Sequence, residues 1–415
     1  MNRPTPLGGC EANETAVNKR QGLFARFSEQ TGFGLSADDT AIFLLVVGLF
    51  SNWILSIATV FAFCVWVLLK KERIVSSFRA RRSAIFIFSF VLAYLLRSLF
   101  LENFASALVL VGFVLYLLCG FYLRSVMTLR RFERILDTSI LMGFYCAVYG
   151  LVDAYLIHGN EPSYLMQSST NNANYYGLLL VCLIFAALYR LEEAFWHKNV
   201  AFYLSSVLLN FVMLLLTESV ASYFGLILGL LLMLFLYRHF RTFFCLFVAL
   251  IGIFILGFYL PGDPWNGRLL YPILERVEMW KIAWESITEN LSNFLFGQGL
   301  FSYQEIWDNA SHSFWDVRGV VPRSFQPHAH NLFLELILSF GILGFAILML
   351  YYGAQMSLVL RRAAVRKLRP VSRFLFILCT AMAFANLADA SLFWVQNGLW
   401  MLIVTAAAGI PPFDS

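Results

Sequence analysis

Charge is scarce in this chain. Asp, Glu, Lys and Arg make up 13% of its 415 residues, against 60% that are hydrophobic. An apolar share of that size exceeds what one soluble core can hide, so a water-soluble globule is excluded. Cysteine offers no framework either. All seven (Cys10, Cys64, Cys119, Cys146, Cys182, Cys245 and Cys379) lie in the polar N-terminal stretch or inside apolar runs, which leaves no disulfide pattern and no zinc-type spacing. The chain also lacks a glycine-rich phosphate loop, a Walker Lys-Ser/Thr pattern and an Asp-x-Asp metal pair. Nucleotide-driven chemistry is therefore not expected, and no cofactor or metal is implied. Energy comes from an ion gradient or from the substrate itself. No repeat of 20–50 residues is visible. The first 40 residues lack an apolar segment beside a small-residue cleavage site, so the first membrane helix is expected to direct insertion.

What is present is a succession of long apolar runs. Crossing a hydrocarbon layer of roughly 30 Å takes about 20 helical residues. Runs suited to this lie near 41–51, 53–69, 84–100, 105–122, 136–157, 174–190, 200–217, 220–237, 242–260, 331–360, 374–389 and 391–408. The first pair is broken by Ser51-Asn52 alone, which leaves one long helix, two short ones, or a re-entrant hairpin plus a span as alternatives.

Basic residues test this arrangement, because short cytoplasmic loops collect Lys and Arg. With a cytoplasmic N-terminus and twelve helices, 24 of the 30 Lys and Arg fall on the inner side and 6 on the outer. The expected fold is thus an all-α polytopic integral membrane protein of about twelve transmembrane helices, with one large outer loop containing short helices. Its parts are a cytoplasmic tail (1–40), helices one to nine (41–260), the outer loop (261–329), helices ten to twelve (330–408) and a cytoplasmic C-terminus (409–415). The net charge of +5 then reflects juxtamembrane anchors facing anionic membrane lipids, and no nucleic acid partner is expected.

A loop of about 70 residues is long enough to imply a function. Within it, Arg276 to Ile287 carries apolar residues at helical spacing, predicting an amphipathic helix on the membrane surface that ends at Gly297-Gln298-Gly299. The loop's aromatics, Trp265, Tyr271, Trp280, Trp284, Trp307 and Trp315, are suited either to packing or to stacking on sugars.

Polar residues gather at the outer ends of the spans: Arg97 and Glu102, Asp153, Asn171-Asn172-Ala173-Asn174, Thr217-Glu218-Ser219, Asn386 with Asp389, and His328 with His330. Asp153, Glu218 and Asp389 are the carboxylates that a transporter would use, although interfacial capping explains them equally well. The one-sided gathering fits a substrate with a polar head outside and an apolar tail in the lipid, as in a lipid-linked diphosphate. Arginine's planar fork grips phosphate oxygens in pairs. A histidine of near-neutral pKa can take a proton from an attacking hydroxyl. His312, in Asn309-Ala310-Ser311-His312-Ser313, reads as a solvated loop residue.

Several of these motifs resemble a known family. His330-Asn331-Leu332-Phe333-Leu334-Glu335 followed by Phe340-Gly341-Ile342-Leu343-Gly344 is similar to the signature region of the O-antigen ligase and O-antigen polymerase superfamily, which includes bacterial protein O-oligosaccharyltransferases. Arg276-x-x-x-Trp280, then Leu295-Phe296-Gly297-Gln298-Gly299, looks like the run that precedes the histidine in these proteins. Asn172-Ala173-Asn174-Tyr175-Tyr176-Gly177 resembles their Asn-x-Asn-x-x-Gly start of a middle helix.

The resemblance implies His330 as the essential histidine and Arg276 as its catalytic partner, gripping the diphosphate of an undecaprenyl-linked glycan. Arg268, Arg97 and Arg318 are further candidates for that diphosphate, and His328, Asn331, Asn174 and Glu218 are supporting candidates. It implies metal-independent transfer, with the active site on the periplasmic face of a bacterial inner membrane. One position departs from the pattern: where members often carry Ser-Arg, Thr217-Glu218-Ser219-Val220-Ala221 has Val220. Another outer arginine, such as Arg97 or Arg318, takes that charge, or phosphate is bound differently.

The favoured expectation is an O-antigen ligase moving polysaccharide onto a sugar hydroxyl of the lipid A core. A polysaccharide polymerase or a protein O-oligosaccharyltransferase is the alternative, and a transporter or flippase is opposed by the scarcity of mid-membrane charge.

Overall fold

The computed structural model describes residues 36–79, 82–159, 165–194, 199–239, 271–310, 328–390, 392 and 394–411. Among these the secondary structure is helical, with no strand. Six helices are long and apolar enough to cross a membrane, and four shorter apolar helices accompany them, which makes this a multi-pass membrane protein. The expected span at 242–260 lies outside the described residues, as do Arg268, His312, Arg318, Trp265 and Trp315.

Asn52 resolves the first ambiguity. α1 (Ala37–Ser51) and α2 (Trp53–Leu69) are separate helices, parted where Asn52 turns extended (φ −159°, ψ 171°) and caps α2 through Leu55 N–H at 2.8 Å. The two fold back on each other: Ser56 Oγ donates to the carbonyls of Gly48 at 3.0 Å and Leu49 at 3.2 Å. After α3 (Lys71–Arg79) come α4 (Arg82–Phe100), α5 (Phe104–Val126) and α6 (Leu129–Val152). Asn103 caps α5 and Thr128 caps α6, each accepting the N–H three residues on, as short polar side chains do at helix starts.

α7 (Ala173–Ala194) is the centre of the bundle. Every residue from Leu178 to Ala187 is buried, so this helix is apolar all round because protein surrounds it all round. Its membrane-length window is 72% buried and that of α14 (Arg369–Ala385) 61%, against 33% for α5, α6 and α8 (Val200–Thr217). The latter three face outward. α9 (Val220–Leu236) packs on α14, and α15 (Val395–Thr405) fits among α1, α5 and α7.

One end of the bundle is tied by ion pairs: Arg73 to Asp38 at 2.8 Å, Arg131 to Asp39 at 2.6 Å and Arg190 to Asp137 at 2.9 Å. At the other end lie α10 (Tyr271–Thr288), α11 (Leu291–Phe296), α12 (Tyr303–Asn309) and the start of α13 (Leu332–Arg362). The amphipathic helix expected from Arg276 is thus found as α10, but it stops at Thr288 rather than running to Gly297. Its apolar face is covered by protein instead of lipid. Met279, Ile282, Ala283 and Ile287 are buried against Tyr303, Trp307, Ala329 and Leu338. Trp307 and Trp280 pack in this cluster, whereas Trp284 is about half exposed at 48%.

α13 departs from the single span expected over 331–360. Gly341 (φ 65°, ψ 179°) interrupts it, in a region of backbone space that essentially glycine alone occupies. A break leaves the carbonyls before it without their usual partners. The segment after α11, together with α4, supplies those partners: Gln298 N–H donates to Leu338 O at 2.7 Å, Gly299 N–H to Ser339 O at 3.1 Å, and the Tyr94 hydroxyl of α4 to Phe340 O. The Leu-Phe-Gly-x-Gly motif is therefore a cap for a broken helix. What remains, 342–362, is about 30 Å of helix at 1.5 Å per residue, one membrane thickness.

Candidate active site

His330 stands immediately before α13, and its surroundings leave little freedom. Asn331 is the N-cap, its Oδ1 accepting the N–H groups of Phe333 at 3.0 Å and Leu334 at 3.1 Å. Leu332 N–H donates across to the carbonyls of Asn386 at 2.9 Å and Asp389 at 3.1 Å. The Ala329 N–H donates to Oε2 of buried Glu335 at 3.0 Å. With the backbone held on both sides, His330 adopts a left-handed conformation (φ 47°) that a non-glycine residue rarely takes. Such a strained position persists where the surroundings over-determine it, and functional sites are where it concentrates.

The ring of His330 faces a carboxylate. Nδ1 lies 3.6 Å from Oδ1 of Asp389, which is fully buried in the turn after α14. That turn is fixed by Asn386, whose Nδ2 donates to Met382 O at 2.9 Å and whose Oδ1 accepts Leu392 N–H at 3.3 Å. Oδ1 of Asp389 also accepts the Ala390 N–H at 2.7 Å. Burial pulls the Asp389 carboxyl upward. The neighbouring His330, with a smaller contribution from the Ala390 N–H, overcomes that and holds it below the ordinary carboxylate range.

His328 is the second ring, 4.4 Å from that of His330 between centroids and edge-on to it. Burial first, and then the charge of His330, push it down to about 4 against the opposing pull of Asp389. It is therefore a neutral imidazole. Its Nδ1 accepts the His330 N–H at 3.3 Å, so its Nε2 carries the proton and donates to the Tyr175 hydroxyl at 3.1 Å. Tyr175, in the first turn of α7, stacks on Trp394 with centroids 5.0 Å apart, and its carbonyl accepts Asn397 Nδ2 at 3.1 Å.

Arg276 comes to the same place from α10. Burial draws its guanidinium downward, against the negative charges of Asp389 and Glu275. A half-buried cation that feels the carboxylate behind His330 is well set to receive an anionic ligand. The other sequence candidates sit differently. Arg97 donates from Nη2 to the Gly297 carbonyl at 2.8 Å, holding the α11 turn onto α4. Glu218 is exposed in a left-handed link between α8 and α9 (φ 50°). Asn174 lies in the first turn of α7, whose cap is Asn172, accepting the N–H groups of Asn174 at 2.9 Å and Tyr175 at 3.2 Å. Asn331 spends its oxygen on capping. At the Val220 position, α9 begins behind Ser219, whose hydroxyl pairs with that of Ser222 at 2.8 Å.

Two members of the constellation were not chosen from sequence as site residues. Asp389 was visible as a carboxylate at the outer end of a span, but nothing local connects it to a histidine on another helix. Tyr175 lay inside the quoted Asn-rich motif, masked by the more conspicuous asparagines.

No curated protein matches the chain. A family model does: residues 205–349, from within α8 to the middle of α13 and including both Arg276 and His330, match the family described as O-Antigen ligase. The match stops short of Tyr175 and Asp389, which reach the site from outside it. Residues 205–349 are thus similar to that family, and they hold both the arginine of α10 and the histidine that precedes α13.

Proposed function

We propose that the protein is an O-antigen ligase that transfers a polysaccharide from undecaprenyl diphosphate onto a sugar hydroxyl of the lipid A core, at the periplasmic face of a bacterial inner membrane. The observation that carries this reading is His330 facing Asp389 across 3.6 Å, with Arg276 within the electrostatic reach of that carboxylate. The 24-to-6 division of basic residues supports a periplasmic orientation for that end of the bundle.

The acceptor hydroxyl oxygen attacks the anomeric carbon of the donor sugar. The bond from that carbon to the diphosphate oxygen breaks, and its electron pair leaves with the lipid diphosphate. Nε2 of His330 receives the hydroxyl proton, while Nδ1–H faces Asp389, which holds the ring in the tautomer that leaves Nε2 free. The Asp389 contact of 3.6 Å tightens as the ring becomes imidazolium, as catalytic hydrogen bonds do on engaging substrate. Arg276 neutralises the charge that develops on the leaving diphosphate, so that no metal ion is needed. The apolar spans beneath the site suit the donor's isoprenoid tail.

A purified preparation given the lipid-diphosphate glycan together with lipid A core decides the matter. Wild type should yield a single ligated product, and His330→Ala none, while donor binding survives. A ladder of lengthening donor chains without core would instead assign a polymerase. Undiminished ligation by His330→Ala would remove the proton acceptor from the scheme.

A further inference from the structure

The transfer scheme leaves one feature of the site unused. One ligand atom each from His328, His330 and Asp389 lies within 4.8 Å of the other two. Inside this cluster, His330 Nδ1 and Asp389 Oδ2 are both buried without a hydrogen-bond partner among the described residues. Leaving a buried polar atom unpaired costs about 1–3 kcal/mol, so two together in one cluster mark a place where a shared ligand would relieve that cost.

Spacing and chemistry say what. The 3.6 Å from Nδ1 to Oδ1 is too long for a hydrogen bond. It is close to the edge of a tetrahedron, about 3.4 Å, whose metal–ligand bonds are about 2.1 Å long. Two imidazoles and a carboxylate with an open fourth position form a donor set that zinc accepts, whereas magnesium and calcium favour all-oxygen shells. Outer contacts that fix ligand orientation are present as well. The Ala390 N–H holds Asp389 at 2.7 Å, and the Tyr175 hydroxyl meets His328 at 3.1 Å.

We propose that His328, His330 and Asp389 form an inhibitory site for a divalent transition-metal ion of the zinc type. A metal on Nδ1 of His330 forces the ring's proton onto Nε2, the reverse of the arrangement that proton acceptance requires, and it engages the carboxylate that orients the ring. His328 joins by exchanging one neutral hydrogen bond, to Tyr175 or to the His330 N–H, for the metal. Metal occupancy and turnover are then mutually exclusive. The binding half of this inference stands apart from the transfer reaction, and the inhibitory half rests on it.

The experiment titrates zinc chloride into the purified full chain in lipid nanodiscs, with calorimetric detection. One site per chain is expected. Its affinity should fall by more than the roughly 10- to 100-fold that loss of an outer-shell partner produces in both His328→Phe and Asp389→Asn, each checked for folding by thermal unfolding. Cobalt chloride gives a second readout on the wild type alone: an intense visible spectrum of tetrahedral character supports the site, and a weak octahedral one overturns it. Equal zinc affinity in wild type and both variants also overturns it. In the transfer assay, zinc should stop product formation, a chelator should restore it, and magnesium chloride should have no effect. Zinc that binds at these residues without slowing transfer would overturn the inhibitory half. A wild type that transfers nothing would sink the proposed reaction, while the zinc and cobalt titrations would still decide the site.

Discussion

Nδ1 of His330 looks onto Oδ1 of Asp389 across 3.6 Å, from the N-terminal edge of one helix to the turn that ends the next. The carboxylate is fully buried and kept ionised by its neighbours, so it acts on the imidazole as a fixed charge. Replacing it with an amide of the same shape separates charge from packing. Asp389→Asn retains an oxygen for the Ala390 N–H but no longer favours Nδ1–H. Ligation should drop by about 10⁴, the loss seen when a buried carboxylate behind a catalytic histidine becomes an amide, with donor KM nearly unchanged. A comparable rate in the variant would make Asp389 a packing residue only.

Arg276 tests the diphosphate. Arg276→Ala removes charge-assisted hydrogen bonds worth about 1.5–3 kcal/mol, which corresponds to roughly a 10- to 150-fold weaker donor interaction. Arg276→Lys should recover part of this, because lysine restores the charge without the two-pronged geometry. Steady-state kinetics with the lipid-linked donor distinguish the cases. Full recovery by lysine would assign simple charge neutralisation.

Gly341 tests the architecture beneath the site. A Cβ there would lie 2.3 Å from the Leu295 carbonyl carbon, and its φ of 65° disfavours any side chain. Gly341→Ala should therefore lower stability by at least about 1–3 kcal/mol. Because α11 packs at this point, activity should fall with it. Thermal unfolding in detergent gives the stability change, and an unchanged midpoint would mean that the break in α13 survives without glycine.

Chelation tests the role of metal in transfer itself. With Arg276 neutralising the leaving group, EDTA should leave the ligation rate unaltered or raise it slightly by removing adventitious zinc. A rate that collapses with EDTA and returns with magnesium would contradict the arginine-based scheme.

The class of protein was readable because each apolar run carries its own preference for lipid, independent of its neighbours. His330 was readable as a candidate because an imidazole is unusual at the edge of a long apolar run, and Arg276 because Arg276-x-x-x-Trp280 resembles a family motif. The break of α13 was not, since glycine within a helical run is common and only the approach of Leu295 and Phe296 makes this one indispensable. Arg97 illustrates the same point. An arginine at the outer end of a span suits phosphate as well as it suits a carbonyl, and the carbonyl that it holds belongs to Gly297, on a distant segment.

Composition and local pattern thus determined that this chain lies in a membrane, that it is helical, and which side chains can move a proton or hold an anion. Tertiary structure alone decided that Asp389 stands behind His330, that Tyr175 holds His328, and that the Gly297-Gln298-Gly299 segment caps an interrupted helix. The physical reason is range. Burial preference and helix capping act within a few residues of the chain, whereas the partner of a buried charge is selected by how whole helices pack, and no short stretch of sequence contains that choice.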